Sequence, residues 1–135
     1  MIRLLYISTA RAPVTAPVLA DILHASRRNN AACDVSGLLI VGGRRFLQAL
    51  EGPEAAVMAT FDRIGRDPRH FALVMLASAP IEQRQFPHWA MGAQSGPAPG
   101  RAATIDQAVA TLIASIDDAS LKGYFTGFAE RQAAA

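Results

Sequence analysis

Gly37-Leu38-Leu39-Ile40-Val41-Gly42-Gly43-Arg44-Arg45-Phe46-Leu47-Gln48-Ala49-Leu50-Glu51-Gly52 reads as two strands around a pair of glycines. The first strand, taken from Val35 to Val41, is apolar on both faces, which suits the middle of a sheet. Gly42-Gly43 is a two-residue hairpin signal, because both glycines can take positive φ. Arg44 to Leu50 is then the returning strand. Phe46, Gln48 and Leu50 share one of its faces, Leu47 and Ala49 the other. Gln48 is a primary amide inside an otherwise apolar run. A buried amide without a partner costs roughly 1–3 kcal/mol, so a polar group is expected to meet it in the core.

Outward from this hairpin, Ile2 to Ser8 reads as a strand with Leu4, Tyr6 and Ser8 on one face and Leu5 and Ile7 on the other. Thr15 is the expected N-cap of a helix with Pro17 in its first turn, running to Asn29 or Asn30. Val18, Ile22, Ala25 and Asn29 form one stripe of that helix; Leu19, Leu23, Ser26 and Asn30 form the next. The inner side therefore turns polar toward its C-terminal end, unlike a helix built only for packing. Gly52-Pro53-Glu54 opens a second helix with Val57, Phe61 and Ile64 as its apolar stripe, closed by Asp67-Pro68-Arg69. Phe71 to Ser78 is a fourth strand, and His88 to Ala93 a short fifth carrying Trp89 and Met91. The order strand-helix-strand-strand-helix-strand is the split βαβ pattern of an α+β, ferredoxin-like βαββαβ sandwich.

Residues 1–95 make up this unit, and residues 96–135 a linker and C-terminal helical extension. Gly96-Pro97-Ala98-Pro99-Gly100 is the linker. Thr104 to Gln107 looks like a capping box, opening a helix from Ile105 to about Asp117. A shorter helix from about Ser120 to Arg131 carries Leu121, Tyr124, Phe125 and Phe128. The two helices in the βαββαβ unit leave one sheet face open. The C-terminal helices are its natural cover, unless they pack on another subunit.

The chain has 135 residues, 51% hydrophobic and 18% charged, with a net charge of +2. It can bury a core, and the small charge gives no reason to expect nucleic acid. Arg27-Arg28 and Arg44-Arg45 are isolated pairs, better suited to solvated turns and helix ends than to a phosphate groove. Cys33 is the one cysteine, so no intramolecular disulfide forms, which suits a reducing compartment. No window approaches the ~20 apolar residues of a membrane span, and Met1 to Tyr6 reads as a strand rather than a leader. A cytoplasmic protein without membrane contact is expected.

In this fold the first and third strands are neighbours, so Tyr6 and Gln48 can meet, although each could face either the helix layer or the open face of the sheet. Ser26, Asn29 and Asn30 approach from the first helix. Paired carboxylates, metal-spaced His/Cys sets and a Ser-His-Asp arrangement are all missing from the sequence. A phenol, amides and a hydroxyl suit recognition of a flat, multiply hydrogen-bonding ring better than hydrolysis.

These residues resemble the BLUF family, flavin-binding sensors of blue light. The likeness rests on Leu5-Tyr6-Ile7-Ser8, Ile22-Leu23, Ser26-Arg27-Arg28-Asn29-Asn30, Val35-Ser36-Gly37-Leu38-Leu39 and Phe46-Leu47-Gln48-Ala49-Leu50-Glu51-Gly52. It continues through Ile64, Asp67-Pro68-Arg69-His70 and Arg84-Gln85-Phe86-Pro87-His88-Trp89-Ala90-Met91. It implies non-covalent FAD with its isoalloxazine between the two helices. Tyr6 would be the photochemical electron and proton donor, and Gln48 would bridge it to flavin N5 and O4. Asn30 would hold the carbonyl and imide edge, with Asn29 nearby; Ser26 belongs to the same first-helix set. Ile22 and Ile64 would be apolar walls, and Arg69 and His70 would line the ring or its phosphate-bearing tail. Ser8, Trp89 and Met91 would relay the state of Gln48.

Singly, each residue has a plainer reading. Tyr6, Trp89 and Met91 are ordinary core residues, Asn29-Asn30 a helix C-cap, and His70 a helix-closing group. Two other functions compete with a sensor: a ferredoxin-like acyl phosphatase and a ligand-free interaction module. The phosphatase needs an arginine in a phosphate cradle; Arg11 is present, but no glycine-rich loop surrounds it. The residues after Ala93 are too few for a catalytic or DNA-binding output domain. A sensor of this kind would not be an enzyme. It would signal in trans to an unidentified protein, as a homo-oligomer, with Tyr124, Phe125 and Phe128 as a candidate contact patch or, equally, as core cover.

Overall fold

Alternation along Ile2–Ala10 (β1) sends Leu4 and Tyr6 to one face of the sheet and Leu5 and Ile7 to the other. This is seen in a computed structural model that describes residues 1–86, 92–94 and 119–134. β1 is followed by α1 (Ala16–Ala32), β2 (Ser36–Gly42), β3 (Arg45–Gly52), α2 (Glu54–Gly65) and β4 (His70–Pro80). β5 (Gly92–Gln94) and α3 (Ala119–Ala134) complete the described elements. The sheet order is β4-β1-β3-β2-β5. The first four strands are antiparallel, and β5 runs parallel to β2. The expected ferredoxin-like α+β arrangement is therefore present. Trp89, Met91 and the helix expected from Ile105 to Asp117 lie outside the described residues.

Two cores sandwich the sheet. Leu4, Tyr6, Leu39, Val41, Phe46 and Leu50 bury the helix-facing side beneath α1 and α2, together with Val57. Leu5, Leu38, Ile40, Leu47 and Ala49 bury the opposite side beneath Leu121, Phe125 and Phe128 of α3. Phe125 and Phe128 are thus core residues. Of the two roles open to the aromatics of this helix, core cover holds for Phe125 and Phe128, while Tyr124 is exposed.

Local structure departs from the expectations at several points. α1 begins as expected, with Thr15 Oγ accepting from Val18 N–H. It runs two or three residues past Asn29-Asn30, to Ala32, and the chain turns only at Asp34, which takes φ 62°. Val18 is exposed, while Leu19, Ile22 and Leu23 pack against the sheet. The hairpin loop is Gly43-Arg44, one residue later than expected, because Gly42 pairs with Arg45 in the ladder. Of the two glycines Gly42 and Gly43, only Gly43 has positive φ, at 58°, as a turn with glycine in its first central position requires. The Arg44 side chain explains the shift. It donates from Nε to Ala10 O at 3.2 Å and from Nη2 to Arg11 O, tying the loop to the end of β1.

Gly37 has a specific steric reason. A Cβ there would stand 2.0 Å from the Ala49 carbonyl oxygen, so only glycine lets β2 and β3 approach this closely. Among the described residues, no helix is long and apolar enough to cross a membrane.

Candidate functional site

Register sets the centre of the site. Tyr6 on β1 is the direct cross-strand partner of Gln48 on β3, and both side chains point toward the helices. The Tyr6 hydroxyl donates to Gln48 Oε1. Both residues are 3% exposed, so the amide expected to need a core partner has one. Burial pushes the Tyr6 phenol well above its ordinary range, and the negative charge of Asp67 pushes the same way. The phenol is therefore held as a neutral donor. Phe61 of α2 packs beside it, ring centroids 5.4 Å apart.

Above this pair lies a cavity of about 280 Å³ between α1, α2 and the sheet. Ile22, Ala25, Ser26, Asn29 and Asn30 line it from α1. Tyr6, Leu39, Phe46 and Gln48 form its floor, and Thr60, Arg63 and Ile64 line it from α2. Arg66, Asp67, Arg69 and His70 continue the lining after α2. The polar turn of the inner face of α1 thus has a structural reason: that face borders a cavity rather than a packed layer. Asn30 is only 1% exposed, which no exposed helix cap requires.

His70 joins the site to β1. Its Nε2 lies 2.6 Å from the Ile64 carbonyl, which can only accept. Nε2 therefore carries the proton, and in the neutral ring Nδ1 accepts from Ser8 Oγ–H at 2.9 Å. Ser8 is buried but does not line the cavity; it touches the site through His70. The β1–β4 ladder slips around Ser8, between Ile7 and Thr9. Arg69 is committed to Asp67, with Nε to Oδ1 at 3.0 Å and Nη2 to Oδ2 at 2.5 Å. The Arg69 hydrogen bond holds the Asp67 carboxyl below its ordinary value.

All nine residues expected at a cofactor site line this one cavity: Tyr6, Ile22, Ser26, Asn29, Asn30, Gln48, Ile64, Arg69 and His70. The sequence reading missed Arg63 and Arg66. Arg66 caps α2 three residues after Arg63, so both fall on one side of the helix end, a spacing that the sequence shows. It also missed Leu39 and Phe46, though Phe46 alternates with Gln48. Arg11 lies over the Phe71 ring at 5.0 Å and is not among the lining residues, so it builds no phosphate cradle here.

The donor set suits a flavin. The cavity is at the small end of ligand sites, roughly 300–1,000 Å³, which fits a ring inside and a longer tail at the mouth. The amides of Asn30 and Gln48 each offer a donor and an acceptor, as an imide-and-carbonyl ring edge demands.

The family model for sensors of blue light using FAD matches residues 1–92. The chain belongs to the BLUF family. Its relatives include the photoactivated adenylate cyclase subunit beta of Euglena longa, 37% identical over 84 residues, which are 62% of this chain and 10% of that one. The blue light- and temperature-regulated antirepressor BluF of Escherichia coli is 34% identical over 83 residues, 62% of this chain and 21% of that one. The chain thus spans only a small fraction of these curated relatives. The dark-state structure of the BLUF protein BlrB superposes with a TM-score of 0.69 at 29% identity, covering 97% of this chain and 92% of BlrB. FAD and blue-light sensing come with the family. The domain is a sensor module, and in the cyclase relatives the enzyme is a separate part of a much longer chain.

Proposed function

We propose that this protein is a blue-light receptor in which Tyr6 and Gln48 form the photochemical switch and which signals in trans to a partner protein. The observation that carries the reading is the buried Tyr6–Gln48 hydrogen bond on the floor of the cavity. FAD would lie with its ring between α1 and α2. Asn30 and Asn29 would hold the imide and carbonyl edge, Ile22 and Ile64 the flanks, and Ser26 the α1 side. Arg69 and His70 would border the ring or the tail, where Arg63 and Arg66 add positive charge. When bound, the flavin supplies blue-light absorption and a strongly oxidising excited state.

With flavin bound, Tyr6 would give an electron to the excited flavin while the phenolic proton leaves along the hydrogen bond to Gln48 Oε1. Both would come back to Tyr6 as the flavin returns to its ground state. Gln48 can be satisfied in two patterns, because its amide both donates and accepts. Rotation or tautomerisation reverses the pattern, and the reversed pattern outlasts the return of the electron to Tyr6. No covalent bond to the protein is needed. Ser8 is tied to the same floor through His70, and with Trp89 and Met91 it belongs to the relay that reads Gln48.

Residues 1–95 are the flavin-binding unit and residues 96–135 the extension that carries the signal outward. Tyr124 on α3, together with exposed Phe71, Val74, Met75 and Leu76 on the edge strand β4, offers surface for a homo-oligomer or a downstream protein. The protein itself is not an enzyme in this reading. Purification under dim light tests it. The protein should be yellow with bound FAD, and its flavin bands should shift reversibly to longer wavelength under blue light. A colourless protein that also fails to take up added FAD, or a flavoprotein without the shift, would overturn it.

A further inference from the structure

Glu51 is a fully buried carboxylate, 0% exposed, that takes no part in the flavin cavity. It stands three residues after Gln48 on β3, on the opposite face of the sheet. Burying a carboxylate is costly unless charge and hydrogen bonds meet it. Arg3 of β1 donates from Nε to Oε2 at 2.8 Å. Two further bonds come from the main chain of the connection after β4. Gln85 N–H donates to Oε2 at 3.1 Å and Phe86 N–H to Oε1 at 2.8 Å.

Residues 81–86 belong to neither helix nor strand, so the place of this connection is set by what its groups bind. Arg84 adds bonds to the same end of the sheet. Its Nη1 reaches Ser36 Oγ at 2.9 Å and its Nη2 reaches Asp34 O at 2.8 Å. Phe86 then carries the connection into the second core. Its ring is buried and meets Phe125 of α3 edge-on, centroids 6.3 Å apart. A continuous chain of contacts therefore runs from the strand bearing Gln48, through the Glu51 carboxylate and the Phe86 main chain, to α3.

We propose that Glu51 is the positioning residue that couples β3 to α3. Its charge-assisted bonds to Gln85 and Phe86 make Phe86 follow any displacement of β3 that accompanies the reversal of Gln48. This rests on the photochemical reading above and extends it to the output side. Charge-assisted hydrogen bonds are short and directional. A small shift of the carboxylate must be followed by the connection or the bonds break. Apolar contacts between β3 and α3 tolerate such a shift by sliding.

Light-minus-dark amide hydrogen exchange on the FAD-bound protein tests this, with the visible red shift recorded on the same samples. The wild type should show a light-dependent change in exchange at residues 84–86 and 121–128. Glu51→Gln keeps the size of the side chain but sets an amide NH2 or a neutral oxygen against Arg3 and the two N–H groups. It should keep flavin and a red shift of normal size, lose about tenfold protection at Gln85 or Phe86, and lose the light-dependent change at 121–128. Phe86→Leu, which keeps the carboxylate anchor and removes the ring contact, should keep the change at 84–86 and lose it at 121–128. An unchanged light response at 121–128 in either variant overturns the coupling role. So does a wild type that shifts its spectrum without any change there. A wild type with no red shift at all refutes the photochemical reading instead.

Discussion

Replacing Gln48 with leucine separates binding from switching. Leucine has nearly the volume of glutamine but neither donor nor acceptor. In the wild type the buried Tyr6 hydroxyl gives its proton to Gln48 Oε1. Gln48→Leu leaves that hydroxyl without this acceptor, at a cost of about 1–3 kcal/mol. Apolar burial of the leucine among Leu39, Phe46 and Leu50 offsets part of this. The net loss should be about 1–2 kcal/mol, a fall in Tm of roughly 3–8 °C at equal flavin saturation. Asn30, Asn29 and the apolar walls are untouched, so flavin should still bind within about tenfold of the wild-type Kd. The light-induced red shift should vanish, because the side chain that reverses its hydrogen-bond pattern at the phenol is gone. Thermal unfolding and a light-minus-dark absorption spectrum of the same sample give both numbers. A red shift of normal size in a folded, flavin-loaded Gln48→Leu protein refutes the reasoning.

Tyr6→Phe should also abolish the red shift while retaining flavin, and it should alter the alkaline limb of stability. The folded Tyr6 pKa is raised above the ordinary value of 10. Its contribution is therefore intact below pH ~10 and declines as pH rises further, by up to about 1.4 kcal/mol per pH unit; denaturant melts above pH 10 should show a shallower decline in Tyr6→Phe. At the acid end, Asp67 is held low by Arg69. The stability it contributes is present above the ordinary carboxyl range and is lost as pH falls below it; Arg69→Ala should reduce that acid sensitivity. Asn30→Ala should weaken flavin binding about tenfold or more by removing a buried amide from the cavity wall, measured by fluorescence titration of the apoprotein. Gly37→Ala should cost about 3 kcal/mol or more, or yield insoluble protein, because the added Cβ meets backbone that cannot step aside.

The split βαβ order is enough to make the strands of Tyr6 and Gln48 neighbours, but alternation leaves each free to face the helices or the open side; the cross-strand register decides that they meet. The α1 residues followed from helical spacing, because an inner face that ends in Ser26, Asn29 and Asn30 cannot be a plain packing face. What escaped was set by partners distant in sequence. The hairpin loop moved by one residue because Arg44 reaches the carbonyls of Ala10 and Arg11. α1 outran Asn30 because the chain turns at Asp34, a residue whose positive φ no local pattern announces. In the sequence Glu51 is simply one residue of the Phe46-to-Gly52 motif. Its role appears only when Arg3, Gln85 and Phe86 converge on it from 34 to 48 residues away. Phe125 and Phe128 suit a contact patch and core cover equally in the sequence, and only the sheet face beneath them decides for the core.

The switch is tested most directly by a light-minus-dark infrared difference spectrum of the flavin carbonyl region, on wild type and Gln48→Leu side by side. Reversal of the Gln48 amide should strengthen a hydrogen bond to a flavin carbonyl, moving its stretch reversibly to lower wavenumber in the wild type and leaving it fixed in Gln48→Leu. A wild-type carbonyl band that does not move while the visible spectrum shifts, or one that moves equally in both proteins, would contradict a glutamine switch.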